Sequence, residues 1–200
     1  VCSRSYRGPH CSGEGGMMGH MHNRTTNPHL NEFTRVLLEL RWGDMDAYGH
    51  VNNVTQLRLL EEARVRALGS PTHSTDAPTT PGQLGISGTV SGITIPAIFA
   101  EASNTTELLV ASHAIEYRRP IPYRAGPIAI DLVISEVKPA SVTIGYSIAE
   151  PDGSVGYTLA ETVIVFVDRT TSRPRRLTQE ETAAMEDVIR PAVPMRGRNR

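Results

Sequence analysis

The sequence predicts an α+β domain in which one long central helix is wrapped by a curved antiparallel sheet of about five strands. Three observations predict it. Residues 51–68 carry apolar side chains every three or four positions, the spacing of an amphipathic helix. Residues 107–168 switch to alternation, and turn residues divide that stretch into four strands. A helix with one apolar stripe and a sheet with one apolar face can bury each other, which completes a two-layer domain.

The 200 residues suit one domain. Residues 1–31 are rich in Gly, Ser, His and Asn and show no periodicity, so they are expected to form a disordered tail. The single domain is expected to span residues 32–189. Within it, residues 69–106 form a long loop insertion rich in Ser, Thr, Pro and Gly, and loops of that length are functional or disordered. Residues 190–200 read as a basic C-terminal tail.

Composition narrows the function classes. With 39% hydrophobic and 20% charged residues the chain is globular in character, and its 5% aromatic content leaves the core to aliphatic side chains. A net charge of −1 argues against a nucleic-acid partner. The two cysteines, Cys2 and Cys11, both lie in the N-terminal tail, so no disulfide framework is implied. There is no apolar run of 18 residues and no apolar signal region, so the expectation is a cytoplasmic protein without a membrane span.

The elements follow in chain order. Residues 34–42 read as a strand ending at Gly43-Asp44. In the helix, Val51, Val54, Leu57, Leu60, Ala63 and Ala67 make the stripe, and Asn52 or Asn53 caps its start. Glu62 with Arg66 and Glu61 with Arg64 are spaced to pair on the wet face. Gly69 and Pro71 stop the helix. Pro151-Asp152-Gly153 marks a hairpin between strands, and Lys138-Pro139-Ala140 marks a tight link. Residues 177–189 read as a closing helix with Thr178 as cap and Glu181 at the capping-box position.

Chemistry concentrates at residues 41–53, where Asp44, Asp46, Gly49 and His50 immediately precede the helix. The first turn of a helix offers unpaired N–H groups and partial positive charge, which can stabilise an oxyanion. A carboxylate on the adjoining turn can activate water or attack directly. Asp44 reads as a structural acid. His50 suits an orienting role and a packing role equally. Glu61 and Glu62 could supply a carboxylate, though a salt-bridge role suits them better. Asp44, Asp46 and His50 have ligand chemistry but no evident fourth partner, so no metal is expected. Arg118, Arg119 and Arg124, and separately Arg173, Arg175 and Arg176, could hold phosphates.

The run from Arg41 to Asn53, followed by residues 57–64, resembles the hotdog-fold acyl-CoA thioesterases of the 4-hydroxybenzoyl-CoA thioesterase type. Tyr117 to Pro120, ahead of a strand, is similar to a second stretch of that family. The resemblance covers roughly residues 34–180. It implies hydrolysis of a fatty or aromatic acyl-CoA without metal or organic cofactor, in a homodimer or a tetramer of dimers. It implies Asp46 as the catalytic carboxylate and an oxyanion-binding backbone near Gly49, His50 and Val51. Asn52 and Asn53 match the family's helix start, and Arg118 and Arg119 become candidates for the CoA phosphates. Gln56 departs from the pattern, since the family usually has an aromatic residue there. Rival readings are an enoyl-CoA hydratase on the same fold and an acyl-CoA-binding module without activity.

Overall fold

The computed structural model describes residues 32–69, 90–92 and 105–197. The expectations for the N-terminal tail, and for all of the 69–106 insertion except residues 69, 90–92 and 105–106, lie outside the described residues.

Six strands and two α-helices make up the described fold. Strand β1 spans Thr34–Leu38 and is followed by a short 3-10 turn at Trp42–Asp44. Helix α1 spans Asn53–Leu68. Then come β2 (Val90–Gly92), β3 (Thr106–Tyr117), β4 (Ile128–Lys138), β5 (Ser141–Ala149) and β6 (Gly156–Asp168). Helix α2 spans Gln179–Glu186. The strands form one antiparallel sheet in the order β2-β1-β4-β5-β6-β3.

Period-2 alternation sets the inner face of this curved sheet. Ile130, Leu132 and Ile134 of β4 share the core with Ile144, Tyr146 and Ile148 of β5, and with Ile164 and Phe166 of β6. Leu59, Leu60 and Ala63 of α1 complete the same cluster. On the outer face, Arg35 of β1 pairs with Asp131 of β4 at 2.6 Å and donates to the Pro151 carbonyl at 2.8 Å. A Cβ added to Gly145 would lie 3.1 Å from both Val133 and Val193, so residues after α2 pack across this face. Strand β3 carries a bulge between Val110 and Ser112. The extra residue there keeps Leu108 and Val110 on the same face as His113, Ile115 and Tyr117.

Several local expectations change. The sheet has six strands rather than about five, because residues 90–92 add an edge to β1. The first strand stops at Leu38, where the chain turns into the 3-10 segment. Helix α1 starts at Asn53, since Val51 is drawn into a bridge with Met45. The stripe also shifts: the buried residues of α1 are Gln56, Leu59, Leu60, Ala63, Arg66 and Leu68, while Val54 is 68% exposed. The two expected ion pairs form, at 2.8 Å for Glu62–Arg66 and 3.5 Å for Glu61–Arg64. Neither arginine is on a wet face, however, because Arg66 is buried and the Arg64 side chain nearly so. The closing helix and its Thr178–Glu181 capping box form as expected.

Candidate active site

The turn between β1 and α1 is a closed loop. Asp44 is 4% exposed, and its carboxylate accepts from the Arg41 N–H at 2.7 Å. Its carbonyl accepts from the Asn52 N–H at 2.9 Å, so Asp44 ties the two ends of the loop together. Between them Met45 pairs with Val51, the Asp46 N–H donates to the His50 carbonyl at 2.7 Å, and Gly49 takes φ +76°. That left-handed turn is open to glycine at little cost.

Within the loop Asp46 is half-buried and fixed. Its Oδ1 accepts from the backbone N–H of Tyr48 at 2.8 Å and of His50 at 3.1 Å. Its Oδ2 takes no hydrogen bond from the described residues. The loop is held in turn against residues 120–122: His50 bridges to Pro122, and the Val51 N–H donates to the Ile121 carbonyl at 2.9 Å. Helix α1 then starts with Asn52 as cap, its Oδ1 accepting from the Val54 N–H at 2.8 Å.

A cavity of about 300 Å³ opens here. It is lined by Asp46, His50, Val51 and Asn53 from the loop and helix start, Gln56 one turn on, and residues 117–120 from the end of β3. Of the residues singled out in the sequence, Asp46, His50, Val51, Asn53, Arg118 and Arg119 therefore meet in one place, while Gly49 and Asn52 shape its frame. Sequence reasoning did not place Tyr117 there, although the Tyr-x-x-Pro spacing signalled the segment. The Tyr117 hydroxyl donates to the Asn53 carbonyl at 3.3 Å, and partial desolvation raises its pKa, so it remains a protonated donor.

The arginines divide. The Arg118 guanidinium is engaged by Glu116 at 2.9 Å and by the Pro194 carbonyl at 2.7 Å. The Arg119 side chain has no partner among the described residues. Arg124 is held by Glu150 and Tyr157, away from the cavity lining. Arg175 forms a bidentate pair with Glu181, both contacts at 2.8 Å. Among the described residues, no group of three His, Cys, Asp or Glu side chains is placed to hold a metal ion.

A family model described as the Thioesterase-like superfamily matches residues 40–193, which contain every residue of this cavity. The chain belongs to that superfamily. Its sheet and central helix are those of the hotdog fold, and the superfamily makes it a thioester hydrolase. Solved structures of similar fold include a probable thioesterase, YbaW, from Escherichia coli, at 21% identity and a TM-score of 0.57 over 78% of this chain and 99% of that one. Another is a thioesterase from Thermus thermophilus complexed with coenzyme A and zinc, at 19% identity and a TM-score of 0.55 over 78% and 95%. A third is a 1,4-dihydroxy-2-naphthoyl-CoA thioesterase from Synechocystis, at 17% identity and a TM-score of 0.54 over 78% and 97%. No curated protein matches the chain.

Proposed function

We propose that this superfamily member hydrolyses fatty or aromatic acyl-CoA thioesters, with Asp46 as the carboxylate that drives the reaction. The observation that carries this reading is the state of Asp46. One carboxylate oxygen is pinned by two backbone N–H groups, and the other has no partner among the described residues in a cavity at the start of α1. A carboxylate so held has a fixed direction and a spare acceptor.

The reaction balances simply. Water adds to the thioester carbonyl carbon as Asp46 takes its proton, and the carbonyl oxygen becomes an oxyanion. Collapse breaks the C–S bond. The proton passes to the leaving sulfur, giving a free acid and CoA thiol. Direct attack by Asp46 through a mixed anhydride gives the same products after hydrolysis. The dipole of α1 favours negative charge at this end. Arg119, without a partner among the described residues, suits a phosphate of CoA.

The similarity of fold to a CoA-bound thioesterase supports this substrate class. The reading extends to a cytoplasmic homo-oligomer, a dimer or a tetramer of dimers, built through the open edge of β3. No described helix is long and apolar enough to cross a membrane.

Thiol release from a panel of acyl-CoAs tests the proposal. The wild type should turn over at least one of them, and Asp46→Asn should lose roughly 100- to 10,000-fold in kcat with an unchanged circular dichroism spectrum. The Asn side chain still accepts from Tyr48 and His50, so the loop survives the change. An active Asp46→Asn would overturn the assignment. Hydration of crotonyl-CoA without thiol release would point instead to a hydratase.

A further inference from the structure

An oxyanion hole needs donors, and most of the loop's donors are already in use. The Gly49 N–H goes to the Asp46 carbonyl at 3.2 Å, the His50 N–H to Asp46 Oδ1 at 3.1 Å, and the Val51 N–H to the Ile121 carbonyl at 2.9 Å. The Asn52 and Val54 N–H groups are taken by Asp44 and by the Asn52 side chain. Among the backbone groups lining the cavity at the helix start, the Asn53 N–H is without a partner among the described residues. A developing oxyanion has more lone pairs than one donor can hold.

Gln56 supplies what the backbone lacks. It is 2% exposed, yet it lines the same cavity as Asp46 and Asn53. Its amide is oriented from both ends. Nε2 donates to the Val51 carbonyl at 3.3 Å, and Oε1 accepts from the Thr158 hydroxyl at 2.7 Å. A flipped amide would set Oε1 against the Val51 carbonyl, an acceptor facing an acceptor, so the orientation is determined by its surroundings. The amide nitrogen carries two N–H groups, and Val51 takes one. The second has no partner among the described residues. A buried N–H left in that state is costly unless something else accepts from it.

We infer that Gln56 is a catalytic residue. Its second amide N–H, together with the Asn53 N–H, donates to the thioester oxygen as it becomes an oxyanion. Thr158, one strand away on β6, is a positioning residue that holds the amide in the productive orientation. This inference rests on the thioesterase reading of the Asp46 cavity.

Kinetics on a turned-over acyl-CoA test it, using Asp46→Asn, Gln56→Met and the double variant Gln56→Met/Thr158→Val. Methionine keeps the length of glutamine without its donors. Gln56→Met should lower kcat about 100-fold while KM moves only a few-fold, the split expected when a transition-state donor is lost. The double variant removes both polar partners, so its melting temperature should lie closer to the wild type while kcat stays low. That outcome separates chemistry from packing, and it remains readable if the single variant folds poorly. A folded variant of either kind with kcat within roughly three-fold of wild type would overturn the role of Gln56. Full activity in Asp46→Asn is a separate failure. It would remove the carboxylate reading and leave Gln56 to be judged on its own kcat.

Discussion

Asp44 and Asp46 carry the same side chain two positions apart, and their surroundings differ. Asp44 is buried, and its backbone and carboxylate close the loop on both sides. Asp44→Ala should therefore cost about 1–3 kcal/mol in urea unfolding, because the Arg41 N–H loses its acceptor in a partly buried place. Asp46→Asn should leave the same unfolding curve nearly unmoved while activity falls. The loop that carries the pair was legible in the sequence because it is local: turn, cap and carboxylates lie within about a dozen residues. Gln56 was visible only as a departure from a family pattern. Its significance depends on Thr158, 102 positions away, and Tyr117 reaches the same cavity only through strand pairing. Nothing in the local spacing of those residues brings them together.

At the scale of elements, α1 shows where periodicity succeeds and where it fails. The helix was readable from its apolar spacing and from its Asn52 cap and Gly69 stop. Its buried face was not, because two of its buried positions are polar. Gln56 is oriented by Val51 and Thr158, and Arg66 is buried against Glu62. A pattern that counts only apolar residues rotates the stripe away from them and onto Val54. Helix α2 was readable in detail, since a capping box is a local device. Thr178→Ala should cost about 1 kcal/mol. Glu181 adds a pH dependence. The Arg175 guanidinium bonded to its carboxylate, helped by the Thr178 N–H and opposed by burial, holds its pKa below the usual carboxylate range. A depressed pKa means the stabilisation is present above the unfolded value of about 4.3 and is lost as pH falls through the folded one. The melting temperature of Glu181→Gln should therefore lie below wild type at pH 7, and the gap should close in acid. A gap that persists at low pH would mean that packing rather than charge sets it.

At the scale of the molecule, the sheet formed by the described residues has six strands and ends in β2 on one side and β3 on the other. The β3 edge is 12 residues long, with Leu109 and Val110 half-exposed. Long apolar edges are usually covered. If β3 joins two copies, replacing both residues with lysine should shift the protein toward monomer in light scattering, and an unchanged mass would exclude this edge. The outer face has its own cover. Residues after α2 reach Ile134 through Ile189 and Arg190, then Glu116 and Arg118 through Arg196 and Pro194. Gly145→Ala should press on Val193 and Val133 and cost about 1–3 kcal/mol. The bulge at Ala111 carries a consequence for how such a sequence can change length. Val110 and Ser112 already face consecutive residues of β6, Ile164 and Val163, so removing Ala111 restores plain alternation and leaves both halves of β3 facing as before. A residue removed between Ser112 and Glu116, with the first half of the strand kept in register, would instead turn the following residues over, and the Glu116 carboxylate would replace Tyr117 in the cavity wall. A single deletion is therefore tolerable at the bulge and not nearer the cavity, and among relatives β3 should lose its bulge residue before it loses any other.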